Sequence, residues 1–477
     1  MADASMFRPA SADAGARFRL AAAGAAAMLM VLAPALWNGF PLLFPDTGGY
    51  LARPIEGTLE LGRSALYGAF LAAGVPLDFW PNVVVQAALV VWLIALTLRS
   101  HGFGGPLPLL VVVAALCLAT GMPWYAATLI PDILLPAAIL ALHLLAFRTA
   151  QLRRSERAAL IAVIAVAIAS HMGTLAVCAA VALALAALSR IRRFAALPRP
   201  RLAVAGIAVA AGIALAPLSN FAVVGQFAFT PGGESFLFGR LVQDGMITRY
   251  LEDRCPDPEI RLCAYRDKVP ETADEWLWGP GNPLGDLGGW RGYAEESRRI
   301  ILDTLWLYPL QHLQDAVATT LTQLALLRTE VSLTQAWMEP MVEAMQRWVP
   351  QLMPQILAAR QQAAPFADLL AAFNLLHVPV AALALIGTAV LPWLARRRAL
   401  PPELAAMALV VLLSVLVNAA VCGVFSNPVA RYQSRLIWLA PLTMMIAGLG
   451  IRRAAMMAAD QASGVRICSA RRPTPST

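Results

Sequence analysis

The sequence predicts an all-α protein that crosses a membrane about ten times, with both termini on the cytoplasmic side. Composition, the length of its apolar runs and the placement of its arginines carry that expectation. Hydrophobic residues fill 59% of the 477 positions and charged residues only 14%, against roughly 45–50% and about 25% in soluble domains. Mean hydropathy is +0.64. So little polar surface points to the bilayer as solvent. The formal charge of +8 comes almost wholly from arginine, Lys268 being the only lysine. These arginines sit in short loops beside apolar runs, where they act as topology signals facing anionic lipid and not as nucleic-acid contacts.

The expected spans are about 20–44, 82–98, 106–122, 127–147, 158–172, 174–189, 202–223, 372–394, 403–422 and 436–450. Arg8, Arg17 and Arg19 precede the first apolar run in the manner of a signal peptide, but the run continues through Phe44, long enough for a retained helix. The run from Ala158 to Ser189 is bounded by arginines on both sides: Arg148, Arg153, Arg154 and Arg157 before it, Arg190, Arg192, Arg193, Arg199 and Arg201 after it. A single crossing would put one cluster outside. A hairpin turning at Ser170-His171-Met172-Gly173 keeps both inside. With that parity Arg99, Arg396 to Arg398, Arg452 and Arg453 fall on the inner side. The loops around Asp46, Trp124, His171 and Arg431, and the long segment 224–371, fall on the outer side.

Four regions follow: a membrane half with the first outer loop (1–223), a partly helical extracytoplasmic insertion (224–371), C-terminal membrane helices (372–450) and a cytoplasmic tail (451–477). Within the insertion, turn signals at Thr230-Pro231-Gly232-Gly233 and Gly279-Pro280-Gly281-Asn282 give way to helical periodicity from Tyr293 to Leu327. That stretch reads as an amphipathic helix on the outer membrane face, and residues 63–75 as a short interfacial helix. The tail from Asp460 is expected to be irregular. Cys255 and Cys263, on the outer side, are expected to form a structural disulfide.

Polar groups gather at the outer ends of helices. Asp46, in Pro45-Asp46-Thr47-Gly48-Gly49-Tyr50, is either a general base at the membrane boundary or an Asx-turn or capping residue. Asp132, after Pro131, has the look of a helix N-cap. His171 reads as a local hydrogen-bonding residue. Glu234, Arg240 and Asp244 read as solvated surface. Arg431 and Arg435, beside Tyr432, combine fixed positive charge with a helix N-terminus and form a natural phosphate site. No GxxxxGK[ST] loop, HExxH pair or GxSxG elbow occurs.

In that order these features resemble the GT-C superfamily of membrane glycosyltransferases, which use polyprenyl-phosphate-linked sugars. The resemblance rests on Asp46 and Tyr50 in the first outer loop, on Gly62-Arg63-Ser64-Ala65-Leu66-Tyr67, on Pro131-Asp132, and on Arg431-Tyr432 before a helix containing Pro441. It covers about residues 20–220 and 372–450, and departs from the family in having a single Asp46 where an acidic pair is common. It implies that Asp46 is the catalytic carboxylate and that Arg431, with Arg435, holds the lipid phosphate. Tyr50 and Arg63 would line the substrate site, and Asp132 and Glu234 would bind the acceptor or a divalent metal. The implied partners are a polyprenyl-phosphate-linked sugar and membrane lipid, at the outer face of the cytoplasmic (inner) membrane. A transporter or flippase for a lipid-linked saccharide is the alternative, but its ionisable groups would sit near mid-membrane. Here His143 and His377 are the only visible mid-helix exceptions. A non-catalytic assembly protein on the same fold is the third reading.

Overall fold

The computed structural model describes residues 10–191, 197–330, 335–362, 366–397 and 400–469. Among them are helices and two isolated β-bridges, with no strand. The first membrane half runs α1 (Ala10–Asn38), α2 (Pro45–Glu56), α3 (Ala65–Gly74), α4 (Trp80–Ser100), α5 (Pro106–Ala119), α6 (Met122–Ala127), α7 (Leu134–Phe147), α8 (Arg154–Ser170), α9 (Met172–Leu188) and α10 (Leu202–Val224). Proline at the first helical positions starts α2, α4 and α5, where its missing N–H goes unneeded. Left-handed Gly57 and Gly225 end α2 and α10, their N–H groups closing back on Arg53 and Phe221.

Six stretches among the described residues are long and apolar enough to cross a membrane: Gly15–Asn38, Trp80–Ser100, Leu202–Val224, Asp368–Arg396, Pro402–Phe425 and Ala430–Arg453. Asp368–Arg396 has a mean hydropathy of 2.2, yet only 17% of its most apolar window is buried in protein. Apolar surface on that scale needs lipid around it, so the chain is a membrane-embedded helical protein. The other expected spans fall on shorter helices, of 14 residues in α5 and α7 and 17 in α8 and α9. The α8–α9 hairpin turns at His171, whose backbone is extended (φ −154°, ψ 114°).

The first helix is shorter than expected. It stops at Asn38 because Gly39 turns left-handed (φ 82°), and residues 40–44 run extended beside 127–130. Leu42 donates to Ala127 O at 3.0 Å and accepts from Leu129 N–H at 2.8 Å. Asn38 and the backbone of Leu43 are in turn tied to Gln361, which accepts from Leu43 N–H at 2.9 Å and donates its own N–H to Asn38 Oδ1 at 2.7 Å.

The segment following α10, expected to lie outside, has its own core. It contains α11 (Gly233–Gln243), α12 (Met246–Arg254), α13 (Ala273–Trp278), α14 (Pro283–Asp286), α15 (Gly289–Gly292), α16 (Ala294–Leu307) and α17 (Pro309–Ala325). Phe238, Trp276, Tyr293 and Ile300 are buried at its centre. A disulfide joins Cys255 and Cys263, with Cα atoms 5.6 Å apart. The single helix expected over 293–327 is broken at Tyr308-Pro309, since proline cannot donate to the preceding turn. Leu310, Leu313, Val317 and Leu321 make an exposed apolar stripe along α17, whose other side packs on α21 (Pro402–Phe425). Then follow α18 (Gln335–Trp348), α19 (Met353–Ala358) and α20 (Phe366–Arg396) before α21, with α22 (Ala430–Ile437) and α23 (Leu439–Ser469) after it. Helix α18 lies against α2 so closely that a Cβ on Gly48 would meet the Ala344 Cβ at 2.5 Å. Helix α23 continues past Asp460 to Ser469. Residues 470–477 fall outside the described set.

Candidate functional site

The extended pairing of 40–44 with 127–130 places the starts of α2 and α7 side by side. Thr47 fastens them. Its hydroxyl accepts from Phe44 N–H at 2.9 Å and donates to Leu129 O at 3.1 Å. Asp46 and Asp132 therefore follow two segments that run together.

Asp132 sits in a single 3-10 turn, Pro131–Ile133, and is 3% exposed. It does not cap α7, as the sequence suggests; the N-cap position is Ile133 and no side chain caps there. Instead its Oδ1 accepts from Arg435 Nη1 at 2.7 Å, and Oδ2 lies 3.4 Å from Arg431 Nη1. Both arginines come from α22, one turn apart and so on one face. Arg435 is fully buried, and its Nη2 reaches Asn418 Oδ1 at 3.4 Å. Asn418 donates in turn to Tyr432 O at 2.8 Å, which locks α22 to α21. Arg431 is the less buried of the pair. Its guanidinium lies over the rings of Phe44 and Tyr432, at 4.2 and 5.0 Å.

Asp46 stands at the second residue of α2 and pairs with Arg63, not with its own helix terminus. Arg63 also donates to Leu61 O at 2.7 Å and stacks over Trp278 at 4.8 Å. The charge of Asp46 acts on Arg431 as well as on Arg63's neighbour Tyr50, and that of Asp132 reaches Tyr50 too. The stacking of Arg431 on Phe44, two residues before Asp46, brings the two ion-paired centres close together. Tyr50 is buried, packs edge-on against Tyr67 at 5.2 Å, and its hydroxyl makes a long 3.4 Å hydrogen bond to Gly62 O.

Glu234 lies elsewhere in the network. Its Oε2 accepts from Arg298 Nε and Nη2 at 3.0 and 2.8 Å, within the outer segment. Asp132 is clasped by two arginines and Glu234 by another, so this pair does not make a cation site. Among the described residues no group of three or more His, Cys, Asp or Glu side chains is placed to hold a metal.

Two further residues join the site: His171, which the sequence suggests only as a local hydrogen-bonding residue, and Asp274, which it does not single out. His171, at the α8–α9 turn, is under the charge of Arg435, Asp132, Arg431 and Asp46, and its Nδ1 is buried with no hydrogen-bond partner among the described residues. Asp274, at the start of α13, accepts from Asn427 Nδ2 at 3.3 Å and is under the charge of Arg431 and Asp46. Burial, reinforced by Asp46, pushes its carboxyl above the ordinary range, against the opposing pull of Asn427 and Arg431. Thr272 caps α13, its hydroxyl accepting from Glu275 N–H, which marks the helix start in the sequence but not its target.

The segment between α10 and α18 docks on residues 59–62, after α2. Arg291 donates to Leu59 O at 2.7 Å, Trp290 Nε1 donates to Glu60, and Gly62 N–H donates to Pro231 O at 2.8 Å. Comparison of the chain with protein-family models, curated proteins and solved structures returned no match.

Proposed function

We propose that this protein is a membrane glycosyltransferase that moves a sugar from a polyprenyl-phosphate donor to an acceptor at the outer face of the cytoplasmic membrane. The observation that carries the reading is the Arg431 guanidinium, paired with Asp132 and lying 4.2 Å over the ring of Phe44, two residues before Asp46 and 387 positions away in sequence. A glycosyl transfer at a lipid phosphate needs a carboxylate near the acceptor hydroxyl and fixed positive charge where the phosphate departs. Arg435, buried and held by Asp132 and Asn418, is the anchor that fixes α22. Arg431, sandwiched by Phe44 and Tyr432 and less tightly bound to Asp132, is the cation for the lipid phosphate. Positive charge preorganised there stabilises the leaving group as the glycosyl–phosphate bond breaks. Asp46 meets the acceptor side, and the reading takes ten spans with both termini inside, which would put these residues on the outer face.

The test is transfer from radiolabelled polyprenyl-phosphate sugars to octyl glycosides in proteoliposomes. Arg431→Ala is expected to lower the rate by roughly 10²–10³-fold, and Asp46→Asn to abolish product at unchanged yield. Reporter fusions at Gly173 should read outside. An inside signal, or full product from Asp46→Asn, would overturn the assignment.

A further inference from the structure

The six-residue helix α13 spans Ala273–Trp278, and Asp274 and Trp278 stand one turn apart on one face. Trp278 lies under Arg63, the partner of Asp46. Asp274 lies against Asn427 in the turn leading to α22, within the field of Arg431 and Asp46. One face of α13 therefore touches Arg63, the partner of Asp46, and Asn427, three residues before α22. It is held there from behind by Gln243, whose Oε1 accepts from Ala273 N–H at 3.1 Å, and by Asn282, which donates to Gly279 O at 2.8 Å.

The two carboxylates at this junction have different partners. Asp46 is engaged through Oδ1 by the Arg63 guanidinium. Asp274 has one long hydrogen bond, from a neutral amide, and no cation within salt-bridge distance among the described residues. A general base works best when the proton is welcome on the atom that takes it.

We infer that Asp274, delivered by the outer segment, is the general base of the transfer, while Asp46 with Arg63 orients the acceptor hydroxyl; this rests on the glycosyltransferase reading. The acceptor O–H proton passes to the Asp274 carboxylate as the hydroxyl oxygen forms its bond to the anomeric carbon. The anomeric carbon–oxygen bond breaks with its electron pair retained by the lipid phosphate beside Arg431. Asp274 then releases the proton to water. No oxidant or metal is needed.

The charged groups facing Asp274 are Asp46 from α2 and Arg431 from α22; Asn427, Gln243 and Asn282 are neutral. The experiment compares kcat, donor KM and the pH profile of the full-length wild type, Asp274→Asn, Asp274→Glu and Asn427→Ala in proteoliposomes, with radiolabelled polyprenyl-phosphate hexoses and pentoses as donors and octyl glycosides as acceptors. Asp274→Asn is expected to lose at least about a hundredfold in kcat, with donor KM unchanged and the acid limb of the profile gone. Asp274→Glu should recover part of the rate. Asn427→Ala, which leaves the carboxylate but removes its donor, should move the acid limb to higher pH. An unchanged kcat and acid limb in Asp274→Asn, with Asp46→Asn inactive, would overturn the role of Asp274 and leave the glycosyltransferase reading standing. Absence of transfer by the wild type would overturn both.

Discussion

Asp132 Oδ1 accepts a 2.7 Å hydrogen bond from Arg435 Nη1 across 303 positions of sequence, with both side chains at most 3% exposed. A buried pair of this kind returns little net stability, because desolvating two charges offsets their attraction. Removing one partner is another matter. Asp132→Ala leaves two arginines facing each other in a buried site and is expected to destabilise the protein by roughly 3–5 kcal/mol. Thermal unfolding in detergent measures this. The double replacement Asp132→Leu with Arg435→Met should recover much of the loss; a double variant no more stable than Asp132→Ala would show that the pair is not what holds α22.

In the outer segment, Asp244 is bound by Arg240 but also faces Asp315, and burial raises its carboxyl from 3.8 to about 6. The folded state therefore holds this proton more tightly than the unfolded chain does. The sign follows: the contribution is neutral below about pH 4 and turns unfavourable as pH rises through about 6, by on the order of 2–3 kcal/mol. His312 acts in the opposite sense, since burial lowers its proton affinity. Asp315→Asn, by removing the like charge, should shrink the loss between pH 5 and 7. Hydrogen exchange across α11, α12 and α17 measures it, and an undiminished pH dependence in Asp315→Asn would refute the coupling.

The Cys255–Cys263 bond closes a short loop, with a sequence separation of 8. Loop-closure entropy assigns such a link about 2.5 kcal/mol. Replacing both residues by serine should lower the stability of the outer segment by that order. A membrane-impermeant maleimide should label neither residue before reduction and both afterwards. Labelling without reductant would show the thiols to be free.

The membrane helices were legible because apolar runs and their arginine borders are local signals, and the turn at His171 followed from charge alone. The end of α1 was not. Leu42, Leu43 and Phe44 extend the apolar run, yet Gly39 breaks the helix and they pair with 127–130. Asp132 was misread for a similar reason. A carboxylate just ahead of an apolar helix looks like a cap, and nothing within a turn of it announces partners 299 and 303 positions away. Asp274 lies in a charged stretch, Glu271-Thr272-Ala273-Asp274-Glu275, of the composition that solvated surfaces share. Only the docking of α13 on the first outer loop distinguishes it from its neighbours.

Gln361 has a consequence for how this chain is made. The amide of Gln361 supplies the hydrogen bonds for Asn38 and for the Leu43 backbone, 323 and 318 positions earlier. Polar groups buried in lipid or protein without partners are costly. The segment joining α1 to α2, which orients Asp46, stays incomplete until residue 361 has left the ribosome. Biogenesis thus runs against chain order at this point: the C-terminal end of the first helix must wait for residue 361, after α19, to return and seal it. A nascent chain halted before residue 361 carries every residue of the Asp46 turn and lacks the amide that holds it in place.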